Sequence, residues 1–311
     1  MDNLTDSLVG ALLGQAGLKR KTALAMPTLI IAANLPDIDA ACFFWLDGAE
    51  HLGFRRGITH GPLAMLVLPL ILWAAMLGWD RWRRRTRPDR PPVNASWLLA
   101  LAYIGTLSHP ALDWLNVYGV RLLEPFSGQW FYGDSIFIID LWLWIGLGGA
   151  LWSSLRAERR GRPGWTRTAA VAVVAASTYV FANGLFTGLA ESRVAAELQA
   201  AGVRNPLVVA SPPPVAFWQR DIFWRNAVSY GDTSFGPFVN RGPVGTGRPH
   251  NAADPRIQMV AATNSEVRAF LLWSRMPIAV FAPDGSLTLT DQRFRDPRAA
   301  DRFTVVTKPG E

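Results

Sequence analysis

His109 and Asp113 stand four residues apart in LSHPALDWLN, at the end of a segment apolar enough to enter a bilayer. On a helix that spacing puts both side chains on one face, an arrangement suited to two ligands on one metal. Pro110 complicates the reading, because it disfavours a helical His109. Either the helix kinks there, or a new one starts at Pro110 with Ser108 or His109 as its cap. Other polar groups interrupt apolar segments in the same way: Asp37 and Asp39 in NLPDID, His60 in RRGITHGP, and Asp140 in FIIDLW. Singly, each has an ordinary explanation. His109 and Asp113 could be a hydrogen-bonded core pair, Asp37 and Asp39 could be turn residues meeting water, and Thr59-His60-Gly61-Pro62 reads as a helix start with Pro62 at its first position. Together, Asp37, Asp39, His60, His109 and Asp113 form a nitrogen and oxygen donor set typical of zinc, or of manganese if carboxylates dominate. Such a metal would activate water near neutral pH. Asp37 or Asp140 could then serve as a general base, and Arg56 or Arg121 could clamp an anionic transition state.

These residues must be positioned by membrane helices. The chain has 311 residues and is 50% hydrophobic, with 14 Trp and 16 Phe. Its apolar residues gather before residue 190 in blocks of about 18 to 23, the length a bilayer requires. The blocks run 23–45, 62–79, 97–115, 136–155 and 168–190, which predicts five spans. The net charge of +7 does not read as a nucleic-acid surface, because the basic runs at 19–21, 80–92 and 156–167 flank the apolar blocks. If those runs are cytoplasmic, the N-terminus is inside and residues from 191 onward lie outside, in the periplasm of a Gram-negative cell. All the polar interruptions then fall at one outer edge of the bilayer. Intramembrane ionisable groups are costly and usually face a cavity or one another. Asp140, two turns into the fourth block, needs a partner such as Arg121, Arg56 or a metal. His51 and His250 read as ordinary surface residues. Cys42 is the single cysteine, which excludes an internal disulfide and a multi-cysteine zinc site.

The tail has another texture. Ser211-Pro212-Pro213-Pro214 is a linker or turn. Ile278–Phe281 and Leu287–Phe294 predict a hairpin about Asp284-Gly285. Thr263 to Glu266 offers a cap to a helix over Val267–Ser274, and Phe303–Thr307 reads as a last strand. The fold class is an all-α membrane domain of about five transmembrane helices (1–190) followed by a small α+β, β-rich extramembrane domain (191–311).

At these motifs the chain resembles the YdjM-type membrane-bound metal-dependent hydrolases, a family also described as LexA-binding inner-membrane proteins. The matching pieces are LPDID at 35–39, RGITH at 56–60 and SHPALDWLNVYGVRLLEPFS at 108–127. FYGDSIFIIDLWLW at 131–144 matches a longer subgroup with a C-terminal extension. The resemblance implies metal dependence and hydrolase activity, carried onto Asp37, Asp39, His60, His109 and Asp113. Where many relatives have His, this chain has Ala40 and Arg55.

The expectation is therefore a multi-pass bacterial inner-membrane hydrolase in contact with the lipid bilayer. It would use a divalent metal, zinc or manganese, on an ester or phosphoester of a lipid or envelope component. Two alternatives use the same residues: a non-enzymatic membrane protein with a structural metal and a C-terminal binding module, and an ion or proton carrier. A carrier would need polar groups continuing to the cytoplasmic half, and spans two and five offer almost none.

Overall fold

The structure is a computed structural model that describes residues 1–239, 244–295 and 300–308. The chain divides into two compact units: Met1–Ile38 with Arg56–Gly184, and Asp39–Arg55 with Leu185–Glu311.

The first unit is helical. α1 (Asn3–Gln15) starts at Asp2, whose side chain accepts from the amides of Leu4 and Thr5. α2 (Ala25–Asn34) gives way to a 3-10 stretch, Leu35–Phe44, within the first apolar block and at the turn its Pro36 suggests. Pro36 has no amide proton to continue the α ladder, and the chain tightens there. After the short α3 (Glu50–Phe54), which belongs to the second unit, α4 (Pro62–Thr86) begins with Pro62 in its first turn, as its sequence predicts. α5 (Ala95–Leu115) passes unbroken through Pro110, so no new helix starts there. α6 (Leu141–Arg159) begins later than predicted, because Ile136 bridges to Asn116 and residues 116–140 form irregular chain. α7 (Trp165–Ala200) runs from the first unit into the second.

Small residues set the helix spacing. A Cβ on Gly10 of α1 would stand 2.8 Å from the Leu29 carbonyl oxygen of α2. One on Gly105 of α5 would stand 2.5 Å from the Cβ of Ala32. Such contacts let helix backbones approach where no hydrophobic effect drives them together. Leu29, Ala32, Leu98, Leu101 and Ala102 are fully buried between α2 and α5, while Leu66, Ile71, Ile145, Val174 and Phe181 stay exposed on outward faces. Exposed apolar surface of that extent belongs in hydrocarbon.

Among the described residues, three helical stretches are long and apolar enough to cross a membrane: Ala25–Phe44, Pro62–Thr86 and Trp165–Ala200. The other two predicted spans correspond to α5, with 21 residues, and α6, with 19. Ser108, His109 and Asp113 make α5 more polar, and Arg156, Glu158 and Arg159 do the same at the end of α6.

The second unit is β-rich. β1 (Leu207–Ser211), β2 (Arg220–Arg225), β3 (Ser229–Phe235) and β4 (Arg248–Pro249) form one antiparallel sheet in that order. The end of α7 packs Ala190, Val194 and Leu198 against Ala210, Ile222 and Trp224 of this sheet. α8 (Pro255–Thr263) and α9 (Ser265–Trp273) follow, α9 capped by Asn264, which accepts from the Val267 amide at 3.0 Å. β5 (Pro277–Phe281), β6 (Leu287–Asp291) and β7 (Thr304–Thr307) make a second antiparallel sheet. Its first turn closes through Ala282 donating to Ser286 at 2.9 Å, with Gly285 at φ +88. α3 lies on α9, where a Cβ at Gly53 would meet the Ala269 Cα at 3.1 Å. His250 is buried rather than at the surface: its Nε2 donates to the Asn226 carbonyl at 3.0 Å, and its Nδ1 accepts from the Ala252 amide at 3.0 Å.

Candidate metal centre

Three breaks in helical regularity deliver the site. Past Asn34 the 3-10 turn carries Asp37 off the end of α2. A second 3-10 turn, Ile58–His60, presents His60 just before α4. It follows Arg56, whose φ of +54 is left-handed, a conformation that costs a non-glycine residue about 1 to 2 kcal/mol. Gly61 then passes so close to Glu124 that a Cβ there would fall 1.9 Å from its carbonyl oxygen, so only glycine fits. α5 supplies His109 and Asp113 from successive turns.

Asp37, His60 and His109 each offer one ligand atom, and these atoms all lie within 4.8 Å of one another. Nε2 of His109 is 3.8 Å from Oδ1 of Asp37 and 3.6 Å from Oδ2 of Asp113. Nε2 of His60 is 3.2 Å from Oδ2 of Asp113, and the two imidazole centroids are 5.1 Å apart. The far nitrogens are held from behind: Nδ1 of His109 lies 2.8 Å from the Ala33 carbonyl, and Nδ1 of His60 lies 2.9 Å from the Thr59 hydroxyl. His109 and Asp113 are 0% exposed, and Asp37, at 9%, is the least buried of the group. Among the described residues, His109 Nε2 and Asp113 Oδ2 have no hydrogen-bond partner. Buried polar atoms are nearly always partnered. Two lone-pair atoms left pointing at each other and at Asp37 fit a cation that they would share.

The remaining predicted residues have other settings. Asp39 lies outside the Asp37–His60–His109 group, in the second unit, with its Oδ1 3.4 Å from Nε of Arg55. Arg56 turns inward: Nη2 is 3.1 Å from Oδ1 of Asp113, Nη1 donates to Asn116 Oδ1 and the Gly119 carbonyl at 3.1 Å each, and the guanidinium covers the Tyr118 ring at 4.5 Å. It holds Asp113 and the loop after α5. Arg121 pairs with Glu124 at 3.2 Å and lies over Trp130, while its amide donates to the Arg56 carbonyl at 2.9 Å.

Asp140 corrects the sequence expectation. It is not two turns inside a helix and takes neither Arg121 nor a site residue as partner. It is the N-cap of α6, accepting from the amides of Trp142 and Leu143 at 3.0 Å each and from the Tyr179 hydroxyl at 3.0 Å. An aspartate at a helix start satisfies amide groups that the helix cannot, and this one does so.

Sequence reading passed over two residues. Asn116 accepts from Arg56 and from the Tyr118 amide at 2.8 Å, and donates to Asp113 Oδ1 at 3.3 Å. Asp6 of α1 is fully buried, with Oδ2 3.4 Å from Nδ1 of His109. Its signal was available: Asp2 already caps α1, so a second aspartate one turn later has no capping task. The backbone amine of Met1 also contacts Asp113.

A family model described as YdjM inner membrane protein matches residues 1–189. No curated protein and no solved structure matches the chain. Together with the three apolar stretches, the match makes this a membrane protein.

Proposed function

This chain belongs to the YdjM inner membrane protein family, and from that premise we propose that it is a membrane-bound, metal-dependent hydrolase. The observation that carries the proposal is the buried Asp37–His60–His109 group, with its ligand atoms within 4.8 Å. Two imidazoles and a carboxylate suit zinc, and manganese if Asp113 joins them. A divalent cation in that place supplies Lewis acidity and lowers the pKa of water.

The chain's own residues do the rest. Asp37, His60 and His109 hold the cation. Asp113 Oδ2, 3.2 Å from His60, is placed to complete the set or to take a proton. Arg56, 3.1 Å from the other oxygen of Asp113, holds that carboxylate in place. Asp37, as the least buried ligand, marks the side from which an ester or phosphoester of a lipid or envelope component would enter. In the proposed layout α5 and α6 complete a five-span domain, the basic loops at 80–92 and 156–167 are cytoplasmic, and the C-terminal unit is periplasmic.

The full burial of His109 and Asp113 favours one rival, a structural ion closed to substrate. Purified protein in detergent, loaded with zinc or manganese, separates the two in assays with p-nitrophenyl esters and bis(p-nitrophenyl) phosphate. The hydrolase reading expects turnover that His60→Gln abolishes. Bound metal with no turnover on either class supports the structural ion.

A further inference from the structure

We infer that Asp6 is a positioning residue of the metal centre, holding His109 with Nε2 turned toward Asp37 and His60. The inference rests on the reading that those three residues hold a cation. Nδ1 of His109 lies 2.8 Å from the Ala33 carbonyl. A carbonyl only accepts, so Nδ1 carries the ring proton and Nε2 keeps the lone pair. Behind that same N–H stands Oδ2 of Asp6, at 3.4 Å. Ala33 takes that N–H, so Asp6 acts on the imidazole through its charge, which makes the other nitrogen a stronger donor.

Two observations set Asp6 apart from an ordinary helical aspartate. It is fully buried, yet neither of its oxygens accepts a hydrogen bond among the described residues. Its helix is already capped by Asp2, which also takes the Thr5 hydroxyl at 2.6 Å and the Trp144 indole N–H at 3.1 Å. A buried carboxylate with no hydrogen bonds is a poor way to stabilise a helix contact. Its place is explained if it acts through His109. Gly10 makes the reach possible: the 2.8 Å its Cβ would leave to the Leu29 carbonyl shows how close α1 must lie to α2. The competing account is that Asp6 serves only the Met1 backbone amine, 3.8 Å from Oδ2.

Asp6→Asn separates the two. It keeps the shape and leaves the Nδ1–H to Ala33 bond untouched, but removes the charge. Full-length wild-type and Asp6→Asn proteins in detergent are titrated with Co²⁺, following the visible d–d bands, and their metal-free thermal midpoints are compared. The expected result is Co²⁺ affinity about 10- to 100-fold weaker with altered bands, and a metal-free midpoint equal to or above wild type. An Asp6→Asn protein with wild-type affinity and spectrum overturns the role of Asp6 alone. So does one that is destabilised without metal or fails to fold, since Asp6 would then be structural. Wild-type protein that binds no Co²⁺ overturns this inference and the hydrolase reading together.

Discussion

Gly105 of α5 faces Ala32 of α2 with no room for a methyl group: a Cβ on the glycine would lie 2.5 Å from the alanine Cβ and 3.0 Å from the Leu29 carbonyl oxygen. One turn further along α5, His109 reaches the carbonyl of Ala33. The close helix crossing and the orientation of the imidazole are therefore one feature.

Gly105→Ala should push α5 away from α2 and lower stability by about 1–3 kcal/mol, the usual cost of overpacking. It should also weaken metal binding, by moving His109 off Ala33. Gly146→Ala, where nothing lies within 4 Å of the added Cβ, is the control and should leave stability unchanged or slightly raised. Thermal midpoints of both variants in detergent check this, and equal midpoints would remove the crossing from the account.

Arg56 and Asp113 should be coupled. Each is buried, and they meet at 3.1 Å. Arg56→Gln or Asp113→Asn alone leaves a buried charge without its partner, costing about 3–5 kcal/mol. The double variant should cost clearly less than the sum. Asp113→Asn should also lose metal. A double-mutant cycle on denaturant midpoints tests the coupling, and strict additivity would refute it.

The ligand pattern was legible because His and Asp in an apolar segment have few ordinary uses: Asp37, His60 and His109 come together, with Asp113 beside both imidazoles. Asp39 was not separable from Asp37 by sequence, since both follow Pro36 in one 3-10 stretch with no helix or strand period to tell them apart. Asp140 was misplaced because the hydrophobic block 136–155 hides a helix start: Phe137, Ile138 and Ile139 are apolar but irregular chain. Asp6 was missed because a lone aspartate in the first turns of a helix looks like a dipole partner. In the tail the hairpin at Asp284-Gly285 was plain from its turn chemistry. The first sheet was not, because β2 and β3 mix charged and aromatic residues without a clean alternation.

In the second unit, Asp291 is buried with Arg293, whose Nε donates to Oδ1 at 2.9 Å, and with the Ser274 hydroxyl at 2.6 Å from Oδ2. Burial pushes its carboxyl up, but the Arg293 charge and the hydrogen bonds outweigh it and hold the group below its ordinary value of 3.8. Because the folded value is the lower one, Asp291 adds stability above the unfolded value, and that stability is lost as pH falls through the folded one. Asp291→Asn should therefore be less stable at neutral pH and should lose less on acidification. Near-UV circular dichroism melts from neutral to about pH 3 measure it. Parallel pH profiles for the two proteins would contradict the assignment.

The proposed orientation rests on the basic loops at 80–92 and 156–167. A reporter fused within residues 80–92 should be active in the cytoplasm, and one fused at the C-terminal end should be active outside it. Reversed signals would place the site at the inner edge of the bilayer.

The central claim is that Asp37, His60 and His109 hold a cation. The most direct measurement is the metal content of detergent-purified protein after incubation with zinc or manganese and removal of the excess, beside a His60→Gln, His109→Gln double variant with helical content checked by circular dichroism. The account predicts metal stoichiometric with the chain in the wild type, and its loss in a variant that remains helical. Wild-type protein that retains no metal, or a double variant that retains as much, would contradict it.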